Sequence, residues 1–339
     1  MKTTVHVETI GYFWAENIEN TTTSPDSLNG NQKYITNTNQ AVPYINLNLD
    51  VPLYSEDRNN FKSLLNHISR KGWPKSEKPD VVTDQKVLNA VAVGADIPIR
   101  LTRIADIIFM WIEKENQDAT QQNYEAVFKN FFTKNTEEKA AKCSKKTIFQ
   151  SRIAGVPFSN ILYSGEVDAI DGQCIPTIHI FFSLLSANNQ HYNFKVIRSA
   201  TNTLNFWENK SAQFFWDSVF GNISTLVVGT RTGEKETDPK TRDPLFYPEL
   251  SIYKLEKFSQ ETLPLQVAKF AARPRSTFQS WSIIDGEARL KDFFKLIKST
   301  VTTNGDYFVY SQKEEKSIVQ KLNDEGDDTR NFILQSIPN

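Results

Sequence analysis

Apolar residues recur three and four positions apart in several stretches. Phe61, Leu64, Leu65 and Ile68 do so within 56–70, and Tyr124, Val127, Phe128 and Phe131 within 120–132. That spacing puts each set on one face of an α-helix. Trp73-Pro74 through Pro79 ends the first helix, because proline cannot continue the backbone ladder. A short helix is expected in the second half of 80–92. Residues 202–220 read as one long helix with a broad aromatic face (Phe206, Trp207, Phe214, Phe215, Val219), and 285–301 as an amphipathic helix. β-like runs alternate with these. Ile-Pro-Ile-Arg-Leu-Thr and Ile-Ile-Phe-Met-Trp-Ile flank Arg103–Asp106 as a hairpin or meander, and strands are expected at 147–153, 161–170, 177–185 and 249–258. The apolar run 224–229 reads as a buried strand, and 307–310 with 317–321 as a closing pair. Residues 1–52 mix short apolar pieces with polar spacers. Residues 21–31 form a loop, and 135–146 and 230–243 are charged and expected to face solvent. The polar tail from Asp324, covering 324–339, is expected to fray.

No internal repeat and no long linker divides the chain. The expectation is an α+β fold in a single domain spanning 1–339, with two mixed or antiparallel sheets flanked by helices. The 339 residues include 39% hydrophobic and 12% aromatic side chains, enough for a well-filled core. The net charge of −1 gives no global attraction to a polyanion, so a nucleic-acid role has to rest on a local patch. Cys143 and Cys174 make neither a disulfide framework nor a zinc pattern. The amino terminus has no apolar signal core and no stretch is long enough to span a membrane, so an intracellular protein with no membrane partner is expected.

The sharpest chemical signal is Leu162-Tyr-Ser-Gly-Glu-Val-Asp-Ala-Ile-Asp171. In a strand, Glu166 and Asp168 point to the same face. Two carboxylates side by side in an apolar strand repel each other and need a divalent cation, a Lys or Arg partner, or water. The plainer reading is an exposed edge with two solvated acids. His6, His67, His179 and His191 are scattered, and His179 reads as a core histidine. Lys269, Arg273 and Arg275 near Phe270 and Phe278 suit either a single-stranded RNA track or a solvated loop. No dinucleotide-binding or phosphate-loop pattern occurs.

The Ser164-Gly-Glu-Val-Asp168 segment resembles the Gly-Glu-Val-Asp strand motif of the DXO-type decapping and 5′→3′ exoribonuclease family. Phe149-Gln-Ser-Arg-Ile153 leads into it as the family's Leu-x-Ser-Arg-Leu does. Residues 211–230 resemble the family's aromatic helix, turn and apolar strand, and the likeness extends over roughly 75–320 in order rather than identity. The resemblance implies a two-sheet α+β fold, a Mg²⁺- or Mn²⁺-dependent site and RNA 5′ ends as substrate, with no role for DNA. It places the metal-binding acids on Glu166 and Asp168. The family's first-motif Arg falls on Gln85 and its helical Glu on Lys129. The Glu and Lys of its second metal strand fall on Phe181 and Ser183, and its helical Gln on Asp217. Only Glu166 and Asp168 keep the family's residue types. The resemblance therefore implies a divergent member with a degenerate site, a pseudo-decapping nuclease that needs no cofactor, acting through an RNA 5′ end or a protein partner such as a 5′→3′ exonuclease. Lys129 is then expected to take the cation's electrostatic place by pairing with Glu166 or Asp168. The alternative is an active Mg²⁺- or Mn²⁺-dependent hydrolase with rearranged ligands, in which Glu125 or Asp217 supplies a replacement carboxylate.

Overall fold

A computed structural model of the chain describes residues 2–15, 21–23, 34–35, 45, 47, 60–75, 77–112, 119–134, 144–170, 191–198, 201, 203–231, 236–237, 244–245, 251–273, 278, 280–313, 316–322 and 328–337. The strands form two principal sheets. The larger runs edge to edge through Lys316–Lys321, Tyr307–Lys313, Ile99–Ile104, Ile107–Ile112, Val81–Asp84, Ile161–Gly165, Ser144–Ile153, Val5–Ala15 and Thr21–Thr23. Val81–Asp84 lies parallel to both its neighbours, while the outer pairs are antiparallel, so the sheet is mixed. The smaller sheet runs Ile252–Phe258, Thr225–Arg231, His191–Ile197, Ala169–Ile170, Tyr34–Ile35 and Thr133–Lys134.

Alternation along the central strands explains the layering. Val81 and Val82 are both fully buried but join different apolar clusters, because successive side chains leave opposite faces. One face is covered by the helix Asn60–Lys71 through Phe61, Leu64, Leu65 and Ile68. The other carries the main cluster, into which the helices Gln85–Val93, Ser211–Phe220 and Ile283–Thr300 send Leu88, Trp216 and Phe293. Leu226 and Val228 reach this cluster from the small sheet. The outer face of the small sheet is closed by the helix Ala119–Phe132, whose Phe128 and Phe132 pack on Phe194. The hairpin at 99–112 turns through Ala105 and Asp106, both at positive φ.

Several sequence expectations need correction. The long aromatic helix is two helices, Leu204–Asn209 and Ser211–Phe220, joined at Lys210. The Ser211 hydroxyl donates to the Trp207 carbonyl at 2.7 Å, taking the acceptor that an unbroken helix gives to a backbone N–H. The amino-terminal stretch contains an eleven-residue strand, Val5–Ala15, central enough to bury Phe13 and Trp14. The tail expected to fray carries the helix Asp328–Ser336, and its Ile333 is fully buried in the cluster with Phe61 and Leu64. The helix Thr262–Ala271 occupies part of the proposed RNA track. There Phe270 and Phe278 are buried and Arg273 stacks on Phe270 at 3.8 Å, so neither ring is presented to a base. Cys143, Cys174, His179, Arg275 and the strand expected at 177–185 lie outside the described residues.

His67 on the first helix stacks on Phe13 at 4.7 Å between ring centroids. Burial, with Lys71 nearby, lowers its pKa to about 4. Between pH 6.5 and about 4 the unfolded chain takes up a proton at this position that the folded chain refuses. Stability is therefore expected to fall as pH drops through that window. His67→Phe is expected to flatten that part of a urea-denaturation pH profile, and an unchanged slope would count against this account.

Candidate functional site

The strands Val81–Asp84 and Ile161–Gly165 run side by side and parallel, with Asp84 opposite Ser164, so both end at one level. There the chain leaves the large sheet. Glu166, Val167 and Asp168 cross without regular structure, and Ala169 enters the small sheet. The strand expected over 161–170 is thus broken at the crossover. The acids sit in the gap between the sheets rather than on one strand face, and each finds a different partner.

Lys129 donates to Asp168 Oδ1 at 3.2 Å, and the Phe194 backbone N–H donates to Asp168 Oδ2 at 2.8 Å. Lys146 donates to Glu166 Oε1 at 2.6 Å; its side chain is fully buried, while that of Glu166 is about half exposed at 47%. Lys146 had been assigned to an exposed, charged run. It belongs instead to the strand Ser144–Ile153, alternating with Ile148 and Gln150, which carries it under the crossover.

Lys195 is the cation sequence reading missed. It lies on His191–Ile197, the strand paired with Ala169–Ile170, and Tyr192 is opposite Ala169. Burial works against its ammonium form, but Glu125, Asp217, Asp168 and Glu166 together outweigh that cost and raise its pKa. Lys129 follows the same pattern. Burial opposes its charge, Asp168, Glu166 and Glu125 favour it, and the net shift is upward. Both therefore stay protonated at neutral pH. The signal for Lys195 was present in Phe194-Lys-Val196, where a lysine interrupts buried residues of a strand. Phe181 and Ser183 lie outside the described residues.

Gln85 and Asp217 are brought together as structural partners. Gln85 opens the helix after Asp84, whose carboxylate caps it by accepting from the Lys86 N–H at 2.8 Å. The Gln85 side chain crosses Gly165 and donates to the Asp217 carbonyl at 3.0 Å. A Cβ at Gly165 would overlap Gln85 Oε1, so glycine is required for this approach. The Asp217 carboxylate accepts from Asn89 Nδ2. Burial raises the Asp217 pKa against the opposing influence of Lys195, and burial likewise raises that of Asp84 against Lys86 and Lys146. Asn89 Oδ1 and Asn193 Oδ1 are buried with no hydrogen-bond partner among the described residues. Asn193 shares a strand face with Lys195. Among the described residues no group of three or more His, Cys, Asp or Glu is arranged to hold a metal ion.

No protein-family model and no curated protein matches the sequence. Solved structures do match in shape. Rai1 of S. pombe aligns with TM-score 0.67 at 14% identity, covering 95% of this chain and 96% of that one. The chain has the Rai1/Dxo1 fold. Candida albicans Rai1 in complex with pU5 and Mn²⁺ aligns with TM-score 0.67 at 11% identity, covering 98% and 93% of the two chains. Dxo1 of K. lactis in complex with manganese gives 0.60 at 9%, covering 94% and 90%. The Rai1/Dxo1 likeness covers 94% to 98% of this chain in these three alignments.

Replacing Lys195 by Met removes the central positive charge from a group of carboxylates. The expected cost at pH 7 is about 3 kcal/mol of unfolding free energy, because Asp217 is left buried without the ammonium that most offsets its charge. The loss is expected to shrink towards pH 5 as protons take over the lysine's role. A urea midpoint unchanged at both pH values would show that the carboxylates do not depend on Lys195.

Proposed function

We propose that this protein is a catalytically degenerate relative of the Rai1/Dxo1 proteins, an intracellular pseudo-nuclease that engages RNA 5′ ends without cleaving them. The observation that carries this reading is that the two acids of the Gly-Glu-Val-Asp segment are each held by a lysine, Glu166 by Lys146 and Asp168 by Lys129. A divalent cation such as Mg²⁺ needs about six oxygen ligands and takes its affinity largely from carboxylates. The described residues do not fit it. To enter, the ion has to displace two ammonium groups that already satisfy those carboxylates, with Lys195 adding a third positive charge in the same field.

Without the cation, two contributions to phosphodiester cleavage are missing. Nothing generates hydroxide from water at neutral pH, and charge growing on the phosphate oxygens has no metal to neutralise it. Lys129, Lys146 and Lys195 do not replace a hydroxide source. They are donors, and of the described acids beside them Glu166 and Asp168 are each held by one of these lysines. What the arrangement retains is three lysine ammonium groups around the crossover, Lys129, Lys146 and Lys195, donors of the kind that hold phosphate oxygens. RNA is the ligand class suggested by the pU5 complex of the Candida albicans relative. Mg²⁺ or Mn²⁺ enters this reading only as the cofactor of residual activity.

The test is to incubate the purified protein with 5′-monophosphate, triphosphate and capped RNA in Mg²⁺ and in Mn²⁺. The expected result is binding that survives EDTA, with no product in either metal. Metal-dependent turnover that disappears in the Glu166→Ala, Asp168→Ala double variant would overturn the proposal and establish a rearranged hydrolase.

A further inference from the structure

The helix Ile283–Thr300 buries Leu290, Phe293, Phe294 and Ile297 in the main core. Beside that stripe, Lys291, Lys295 and Lys298 follow one another four and three positions apart, so they share one flank of the helix. Lys295 and Lys298 are exposed, and Lys291 is partly so. Among the described residues none of the three makes an ion pair. Glu287, placed one turn before Lys291, is buried, and its Oε1 accepts from the Thr3 hydroxyl and the Thr4 N–H. Asp292 is exposed on the neighbouring flank and pairs with none of them.

The adjoining loop holds this flank in place. The Lys291 stem runs along Gly155, which sits at φ +79° and has no side chain to push it away. Lys298 donates to the Pro157 carbonyl at 3.1 Å and lies over the Phe158 ring, which packs edge-on against Phe294. Asp80, the acid bonded to this loop, is engaged by the Ser159 N–H and hydroxyl and by the Asn160 N–H. Lysines three and four positions apart on a helix repel one another. That repulsion is relieved when negative charge lies across all three. The row runs about 10 Å along the helix, so it matches a chain of spaced charges better than a single small anion. Between Lys291 and Lys298 the flank exposes no large apolar side chain, which a protein partner would normally use. Phe158 is buried under Lys298, so the flank offers charge to phosphates and no ring to a base.

We propose that this lysine flank is a second contact for single-stranded RNA, holding its phosphates without regard to sequence. The proposal rests on the reading of RNA as the ligand class. The loop beside the flank leads into the strand Ile161–Gly165 at the end away from the crossover, so the two contacts are separated by the length of that strand, roughly 15 Å. A dinucleotide held at the crossover does not reach the flank, whereas a longer strand does.

The experiment follows fluorescence anisotropy of labelled RNA with the full chain in EDTA, from about 50 to about 200 mM salt. One probe is a 5′-hydroxyl oligouridine of about thirty nucleotides, and the other is a 5′-phosphorylated uridine dinucleotide. Lys291→Gln with Lys295→Gln is expected to weaken the long probe about tenfold and to reduce the slope of log affinity against log salt by about 1.4, the share of two phosphate contacts on a single strand. Lys295→Gln alone, at an exposed position where glutamine is equally helix-forming, is expected to give half that change in slope. The dinucleotide is expected to bind both variants as it binds the unaltered protein. Lys71→Gln with Lys75→Gln removes the same charge elsewhere and is expected to leave both probes unaffected. A long probe that fails to bind, an unchanged slope, or an equal loss in the Lys71/Lys75 variant would overturn the proposal. So would a polyglutamate chain that competes as well as the RNA, which would assign the flank to an acidic protein. Loss of dinucleotide binding in the unaltered protein, with the long probe still sensitive to Lys291 and Lys295, would sink the reading of the crossover and leave the flank standing.

Discussion

Carboxylates gathered at the gap between two sheets need positive charge, and in this molecule lysines provide it. Glu125, Glu166, Asp168 and Asp217 all act on Lys195, Asp168 is also bonded to Lys129, and Glu166 is bonded to Lys146. The surrounding architecture is arranged around this neutralisation. The strand Ser144–Ile153 delivers a fully buried lysine beneath the crossover, the helix Ala119–Phe132 brings a second from the outer layer, and the strand His191–Ile197 brings the third. A divalent ion concentrates two charges at a point and demands a rigid ligand geometry. Three ammonium groups spread the charge over flexible stems and donate hydrogen bonds. The fold is compatible with either solution, which is why shape alone does not decide the chemistry.

Much of the fold was legible because periodicity reports burial. The helices at 60–71 and 119–132, the hairpin at 99–112 and the closing strand pair follow from apolar spacing. The errors have physical causes. Val5–Ala15 has a mixed burial pattern along its length, so it shows no clean alternation. The break at Lys210, beside which the Ser211 hydroxyl bonds the Trp207 carbonyl, leaves the aromatic spacing undisturbed on either side. The carboxy-terminal helix is held by few apolar residues, Ile333 among them, in an otherwise polar stretch, and gains its stability from the helix it packs against.

The site was legible in part. Glu166 and Asp168 stood out as two acids in an apolar run, Lys129 was found because the resemblance located it, and the close approach of Gln85 needs a glycine at 165 where a side chain would collide. Lys146 and Lys195 were missed for one reason. A lysine in a strand reads as a solvent-facing residue unless its partner is known, and both partners lie distant in sequence, across the crossover. Tertiary electrostatics leave almost no local trace, whereas packing does.

The lysine network also bears on how such a site changes over evolutionary time. Replacing any one lysine by an acid leaves carboxylates uncompensated, so each such single substitution passes through a less stable protein. The acids and their lysines are therefore bound to change together, and a substitution at one of these positions sets which substitutions the others tolerate.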